Sequence, residues 1–149
     1  MIRGNQAYWL RAVSLWFLLM AAETLHGLWR VKVLAPWIGD EFAHEVAVFT
    51  GSLIILLITF AYIDWIPAHD ARTLLSVGST WAVLTVGYEF VLGRLAFDRS
   101  WNEIASDFDL FHGRLLLLGL LFLLFAPLLA AWLRGSVGTA GRQAAGRQV

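Results

Sequence analysis

The residues of this chain that could do chemistry are carboxylates, histidines and arginines that gather near one end of its apolar segments. They are Glu23, His26, Arg30, His44, Glu45, Glu89, Arg94, Asp109, His112 and Arg114. Helical spacing places Glu23, His26 and Arg30 on one stripe of the first segment. Acids and histidines at one membrane depth can bind a proton or a cation. We therefore predict a functional polar cluster here, with structural ion pairs, Glu23 with Arg30 and Glu89 with Arg94, as the alternative interpretation.

Three histidines of this polar cluster, His26, His44 and His112, are candidate metal ligands. Imidazole nitrogens beside carboxylates could hold a divalent cation such as zinc. Ordinary interfacial histidines would show the same spacing, so the metal remains an open alternative. The chain has no cysteine, which excludes thiolate metal sites and cysteine nucleophiles. No motif requires a cofactor, and we predict no catalytic residue.

The elements that must position the cluster are transmembrane helices. The 149 residues are 59% hydrophobic and have a mean hydropathy of +0.68. A bilayer core about 30 Å thick requires roughly 20 helical residues per crossing. Four apolar runs fit this length, at about 8–30, 40–63, 73–94 and 109–133. They predict an all-α polytopic membrane protein, a four-transmembrane-helix bundle over 1–134, followed by a disordered cytoplasmic tail over 135–149.

The connections between these helices differ on the two sides of the membrane. Residues 64–72 predict a tight polar turn, whereas 31–39 predict an interfacial loop and 100–103 a capping box that opens a short surface helix. The side with the termini and the polar turn carries six Lys and Arg, and the other side carries five. The positive-inside rule then places both termini in the cytoplasm and the acidic loops outside.

The two halves of the chain resemble each other. Glu23 and Glu89 are 66 residues apart, and His44 and His112 are 68 apart (89 − 23 and 112 − 44). Each half contains two crossings, so two copies of a hairpin would run in the same direction through the membrane. This pattern favours two tandem helical hairpins. In the third helix, small residues around Gly78 predict close approach of a neighbouring helix.

Several short motifs run through both halves: ETLHG with Arg30, APWIGD, VFTGSL, GYEFVLGR and SWNEIASDFDL. With these motifs, the chain from about residue 10 to residue 133 resembles a family of small four-span proteobacterial inner-membrane proteins. The resemblance implies the four-helix architecture and a location in the bacterial inner (plasma) membrane. It implies no activity, and no catalytic residue is carried over.

Three functions are compatible with these observations. We predict a non-enzymatic accessory or scaffold subunit of a larger membrane complex, with the polar cluster at its outward face. The alternative is a small proton- or cation-binding transporter that uses the same cluster. A third hypothesis, a membrane enzyme for metal-assisted lipid hydrolysis, is supported by residue types alone. The expected partners are the lipid bilayer and either another membrane protein or further copies of this chain. Zero net charge argues against nucleic-acid binding.

Overall fold

The structure, a computed structural model, describes residues 2–68, 70–95, 100–102 and 116–137, and every regular element in these ranges is helical. The elements are α1 (Ile2–Trp29), a π-helical turn (Arg30–Leu34), α2 (Ala35–Ile38), α3 (Asp40–Tyr62), a 3-10 turn (Ile63–Trp65), α4 (Ala71–Leu95) and α5 (Leu116–Leu133). The predicted all-α class is confirmed for the described part of the chain. The tail after residue 137 lies outside it.

Three helical segments are long and apolar enough to cross a membrane, namely Ala7–Ile38, Asp40–Trp65 and Ala71–Leu95. The described part of the last helix contains a shorter apolar stretch, Leu117–Leu133. Large apolar side chains cover the outer surface of the helices, and Phe49 and Val83 are each more than 70% exposed. Such exposure is expected when lipid surrounds the helices. These features indicate a helical membrane protein.

The predicted interfacial loop at 31–39 is wrong, because the chain stays helical there. Ala35 N–H donates to the Arg30 carbonyl, a bond over five residues that widens the helix into a π turn. The wider turn accommodates Pro36, which has no N–H and would clash with the preceding turn of a regular α-helix. Gly39, with a φ of +86°, ends the helical run, a conformation that glycine adopts without steric cost.

A series of hydrogen bonds, which we call the polar ladder, joins α1 to α4. Its members are Tyr8 O–H to Thr73 O (3.2 Å), Trp81 Nε1–H to Ala12 O (2.8 Å), Trp16 Nε1–H to Thr85 Oγ1 (3.0 Å) and Tyr88 with Thr24 (2.9 Å). Positions on both helices increase together, so α1 and α4 run in the same direction. The paired residues are 64 to 69 positions apart in sequence. This range includes the offset of 66 residues between Glu23 and Glu89.

The remaining helix contacts close the bundle. α3 packs against α1, and α5 packs against both α3 and α4. At the end where α3 and α5 finish, Arg134 forms an ion pair with Asp64 and lies 4.7 Å above the Phe60 ring. The core draws buried side chains from all four long helices, and Leu19 of α1 and Trp81 of α4 are fully buried.

α4 and α5 approach closely at Gly78. A methyl group placed on Gly78 would lie 1.8 Å from the Leu124 carbonyl oxygen. The Pro127 ring, three residues further along α5, is buried and removes one N–H donor from this stretch of the helix. The close approach predicted from the small residue at Gly78 is therefore present.

Asp70 caps the N-terminus of α4. Its carboxylate accepts the Thr73 hydroxyl at 2.7 Å and the Thr73 backbone N–H at 2.8 Å. These two hydrogen bonds hold the pKa of Asp70 below its ordinary value, and the bond from the hydroxyl has the larger effect. This aqueous turn thus contains a helix cap whose strength depends on ionisation.

The cap leads to a prediction on pH dependence. Because the pKa of Asp70 is lower in the folded state, its ionised form stabilises the fold above the unfolded-state value of about 3.9, and this contribution is lost as pH falls through the folded-state value. Asp70→Asn retains an acceptor but has no charge to lose. We expect its thermal midpoint in detergent to lie below that of the wild type near neutral pH and to converge with it below about pH 4. A constant difference over the same pH range would contradict this role.

Candidate functional site

The site that the structure assembles from the predicted cluster is a carboxylate–imidazole pair on one face of α1. Glu23 Oε2 lies 3.9 Å from His26 Nδ1, and the two side chains are 27% and 10% exposed. Their spacing of three residues places them one turn apart on the helix, as predicted. The His26 ring also stacks on Trp29, with ring centroids 5.9 Å apart. One side of the imidazole is therefore covered, and one nitrogen faces the carboxylate.

A threonine on α3 fixes the orientation of the imidazole. His26 Nε2 lies 2.8 Å from Thr50 Oγ1, and the Thr50 hydroxyl donates to the Val46 carbonyl at 2.9 Å. With the single hydroxyl hydrogen on Val46 O, the Thr50 oxygen accepts the bond from His26 Nε2–H. In the neutral ring, Nδ1 then carries a lone pair toward Glu23. This hydrogen bond makes Nδ1 the nitrogen that can accept a proton from the carboxyl group.

The space for the carboxylate comes from a glycine of α3. A methyl group on Gly51 would lie 2.8 Å from Glu23 Oε2 and 3.5 Å from His26 Nδ1. Glu23 Oε1 is buried and has no hydrogen-bond partner among the described residues. A buried polar oxygen without a partner is costly, especially where lipid replaces water. Such an atom is ready to bind a proton or to accept a donor from a ligand.

The other described members of the cluster on α1 and α3 are Arg30, His44 and Glu45. Arg30 pairs with Asp40 at 3.1 Å rather than with Glu23, so the alternative of a Glu23–Arg30 ion pair is wrong. The reason is geometric: the π turn begins at Arg30, and helix α3 brings Asp40 in its first turn back to it. His44 is half-buried and Glu45 is exposed in the first two turns of α3.

In the second half of the chain, the structure describes two members of the cluster, Glu89 and Arg94, and both are on α4. The hydrogen bond between Thr24 and Tyr88 sets Glu23 and Glu89 at nearly the same level of the bundle, because each glutamate adjoins one of the bonded residues. Arg94 lies 5.4 Å from the centre of the Trp101 ring. Glu23 and Glu89 therefore lie at similar levels along the two parallel helices.

Three predicted site residues, Asp109, His112 and Arg114, lie outside the described ranges. Within the described residues, no group of three or more His, Asp or Glu side chains could hold a metal ion. Of the three predicted metal ligands, the structure describes His26 and His44 but not His112. The metal site therefore stays a prediction.

Two functional residues of the site, Thr50 and Gly51, were missed by reasoning from the sequence. Both lie in an otherwise apolar run, and a lone glycine in such a helix often marks close approach by another group. The sequence contains that signal, but it does not say which helix or side chain approaches. Only the packing of α1 on α3 places Glu23 there.

Comparison with known proteins finds no family model, no curated protein and no solved structure that matches this chain.

Proposed function

We propose that this chain is a non-enzymatic small transporter that binds and releases a proton at Glu23 and His26. The observation that carries the proposal is the buried Glu23 Oε1, which has no partner among the described residues, beside an imidazole whose orientation Thr50 fixes. A carboxylate in an apolar environment needs a proton or a positive partner. A proton on Oε2 could pass to His26 Nδ1 after a small rotation that shortens the present 3.9 Å separation.

The proposal includes the membrane arrangement. The described part of α5 is 18 residues long, or about 27 Å at 1.5 Å per residue, close to the bilayer core of about 30 Å. We infer that α5 is the fourth crossing and that both termini are cytoplasmic, in the inner membrane of a bacterium. The Glu23–His26 pair is then near the outward face. The family resemblance noted above supports the same location.

Proton flux into liposomes tests this function. With purified protein in vesicles that contain a pH-sensitive dye, an imposed membrane potential should drive proton entry. We expect Glu23→Gln to lower the rate by about a hundredfold, the lower end of the effect of a positioned proton-transfer group. Glu41→Gln, which removes an exposed carboxylate from the first turn of α3, is the matched control and should leave the rate unchanged.

A second pair of variants tests the geometry rather than the charge. Gly51→Ala should displace the Glu23 carboxylate, because the added methyl group would lie 2.8 Å from Oε2. In Gly27→Ala, on α1, the added methyl group meets no atom within 4 Å. This variant therefore controls for the general effect of replacing a helical glycine by alanine. Equal flux in wild type, Glu23→Gln and Gly51→Ala would contradict the proposal. If these proteins show no flux and the chain is purified with a second subunit, the accessory-subunit hypothesis is favoured instead.

A further inference from the structure

A groove between α1 and α3 opens on the outer surface, near the end of the bundle where α1 begins. Its volume is about 430 Å³, within the range of about 300 to 1,000 Å³ that is typical of small-molecule sites. The lining residues are Ser14, Leu15, Leu18, Tyr62 and Trp65. Leu18, Tyr62 and Trp65 are each more than 40% exposed. In a membrane, the molecules that reach such a surface are lipids.

One stripe of α1 forms the floor of this groove. Arg11, Ser14, Leu15 and Leu18 follow the spacing i, i+3, i+4 and i+7, so they lie on one helix face. The stripe changes from charged, through a hydroxyl group, to apolar over seven residues, or about 10 Å along the helix. A phospholipid has the same order of polarity from its phosphate to its acyl chains.

Arg11 supplies a positive charge at the polar end of the groove. Its Nη1 donates to the Trp65 carbonyl at 3.1 Å, and its guanidinium carbon lies 5.7 Å from the centre of the Trp65 ring. These contacts hold the side chain beside the lining residue Trp65. A guanidinium has five N–H donors, so donors remain for a phosphate group.

The charges around Arg11 favour an anion. Among the described residues, Arg11 has no carboxylate within ion-pair distance. Asp64, the acid next to Trp65 in the sequence, is paired with Arg134. Tryptophan and tyrosine at one end of a transmembrane helix mark the headgroup layer of the bilayer. Trp65 and Tyr62 therefore place Arg11 at the depth of lipid phosphates.

We propose that this groove binds an anionic phospholipid, with its phosphate on Arg11 and Ser14 and one acyl chain along Leu18. Arginine matches the geometry of a phosphate group, since it can donate two parallel hydrogen bonds. The apolar floor alone would accept any lipid chain, so Arg11 determines the preference for an anionic headgroup. This binding site is separate from the Glu23–His26 pair and does not depend on the proposed transport function.

Native mass spectrometry of the full-length protein tests the lipid site. Protein in mild detergent is mixed with equal amounts of phosphatidylglycerol and phosphatidylcholine with identical acyl chains, and the retained lipids are counted. We expect phosphatidylglycerol to be retained about fivefold more, the factor that corresponds to about 1 kcal/mol for one basic side chain near the anionic surface. Arg11→Gln should remove this preference, and Arg11→Lys should keep most of it.

Two further variants separate the headgroup from the chain. Arg72→Gln removes an exposed arginine from the first turn of α4, outside the groove, and should keep the wild-type preference. Leu18→Trp fills the apolar part and should lower retention of both lipids. Equal retention of the two lipids by the wild type, or an unchanged preference in a helical Arg11→Gln protein, would overturn the proposal. If Arg11→Gln does not fold, the wild-type preference for phosphatidylglycerol and the lowered retention of both lipids by Leu18→Trp decide the question.

Discussion

Gly78→Ala is expected to disrupt the contact between α4 and α5. The added methyl group would lie 1.8 Å from the Leu124 carbonyl oxygen, 2.7 Å from its carbonyl carbon and 3.1 Å from its Cα. All three atoms belong to the backbone, so no side-chain rotation can relieve the clash and the helices must separate. We expect the free energy of unfolding to fall by about 3 kcal/mol, the upper end for overpacked cores. Unfolding by a denaturing detergent, followed by circular dichroism, measures this loss.

The matched control for this substitution is Gly87→Ala on the same helix. A methyl group on Gly87 would meet no atom within 4 Å, and alanine is favoured over glycine in a helix by about 1 kcal/mol. Gly87→Ala should therefore be neutral or stabilising. If both variants unfolded at the same detergent concentration as the wild type, close approach at Gly78 would not hold α4 against α5.

Trp81→Ala is expected to have a comparable effect for a different reason. The Trp81 side chain is fully buried, and its Nε1–H donates to the Ala12 carbonyl at 2.8 Å. Truncation removes this link to α1 and leaves a cavity, which costs about 3 to 5 kcal/mol in soluble proteins. Lipid is as apolar as the core, so the transfer contribution is smaller in a membrane. We therefore expect about 3 kcal/mol, at the lower end of this range.

Two substitutions divide the effect of Trp81 into its parts. Trp81→Phe keeps much of the volume and removes the N–H donor, so it should cost about 1 kcal/mol. Trp132→Ala removes a tryptophan that is 67% exposed and should change stability by no more than about 0.5 kcal/mol. The same detergent unfolding measures all three variants. A Trp132→Ala protein as unstable as Trp81→Ala would show that burial of the ring is not the cause.

The sequence predicted the helices well because their signal is local. Uninterrupted apolar runs make three of the segments recognisable from residue types alone, and Asp40 at the start of α3 follows the preference for acids in a first turn. The error at 31–39 arose because Pro36 and Gly39 are common loop signals. The π turn that accommodates Pro36 depends on backbone bonding, which residue types do not specify.

The site was only partly predictable, because it depends on contacts between helices. The turn spacing of Glu23 and His26 brings them together on any helix, so their proximity followed from the sequence. The partners on α3, Thr50 and Gly51, depend on how α1 and α3 are rotated about their axes. The tautomer of His26 requires knowing that the Thr50 hydroxyl is already engaged by Val46 O. No pattern in a single chain specifies such a sequence of hydrogen bonds.

The helical run that ends only at Gly39 is longer than a bilayer needs. From Ala7 to Ile38 it has 32 residues and extends about 48 Å, whereas the hydrocarbon core is about 30 Å thick. Arg11 and Arg30 are 19 residues apart in this run (30 − 11), or about 29 Å, so the stretch between the two charges matches the core and leaves no hydrophobic mismatch. Charges at both ends of this stretch therefore limit the displacement of α1 along the membrane normal, and the turns from Arg30 to Ile38 continue the helix into the headgroup layer, where Arg30 pairs with Asp40.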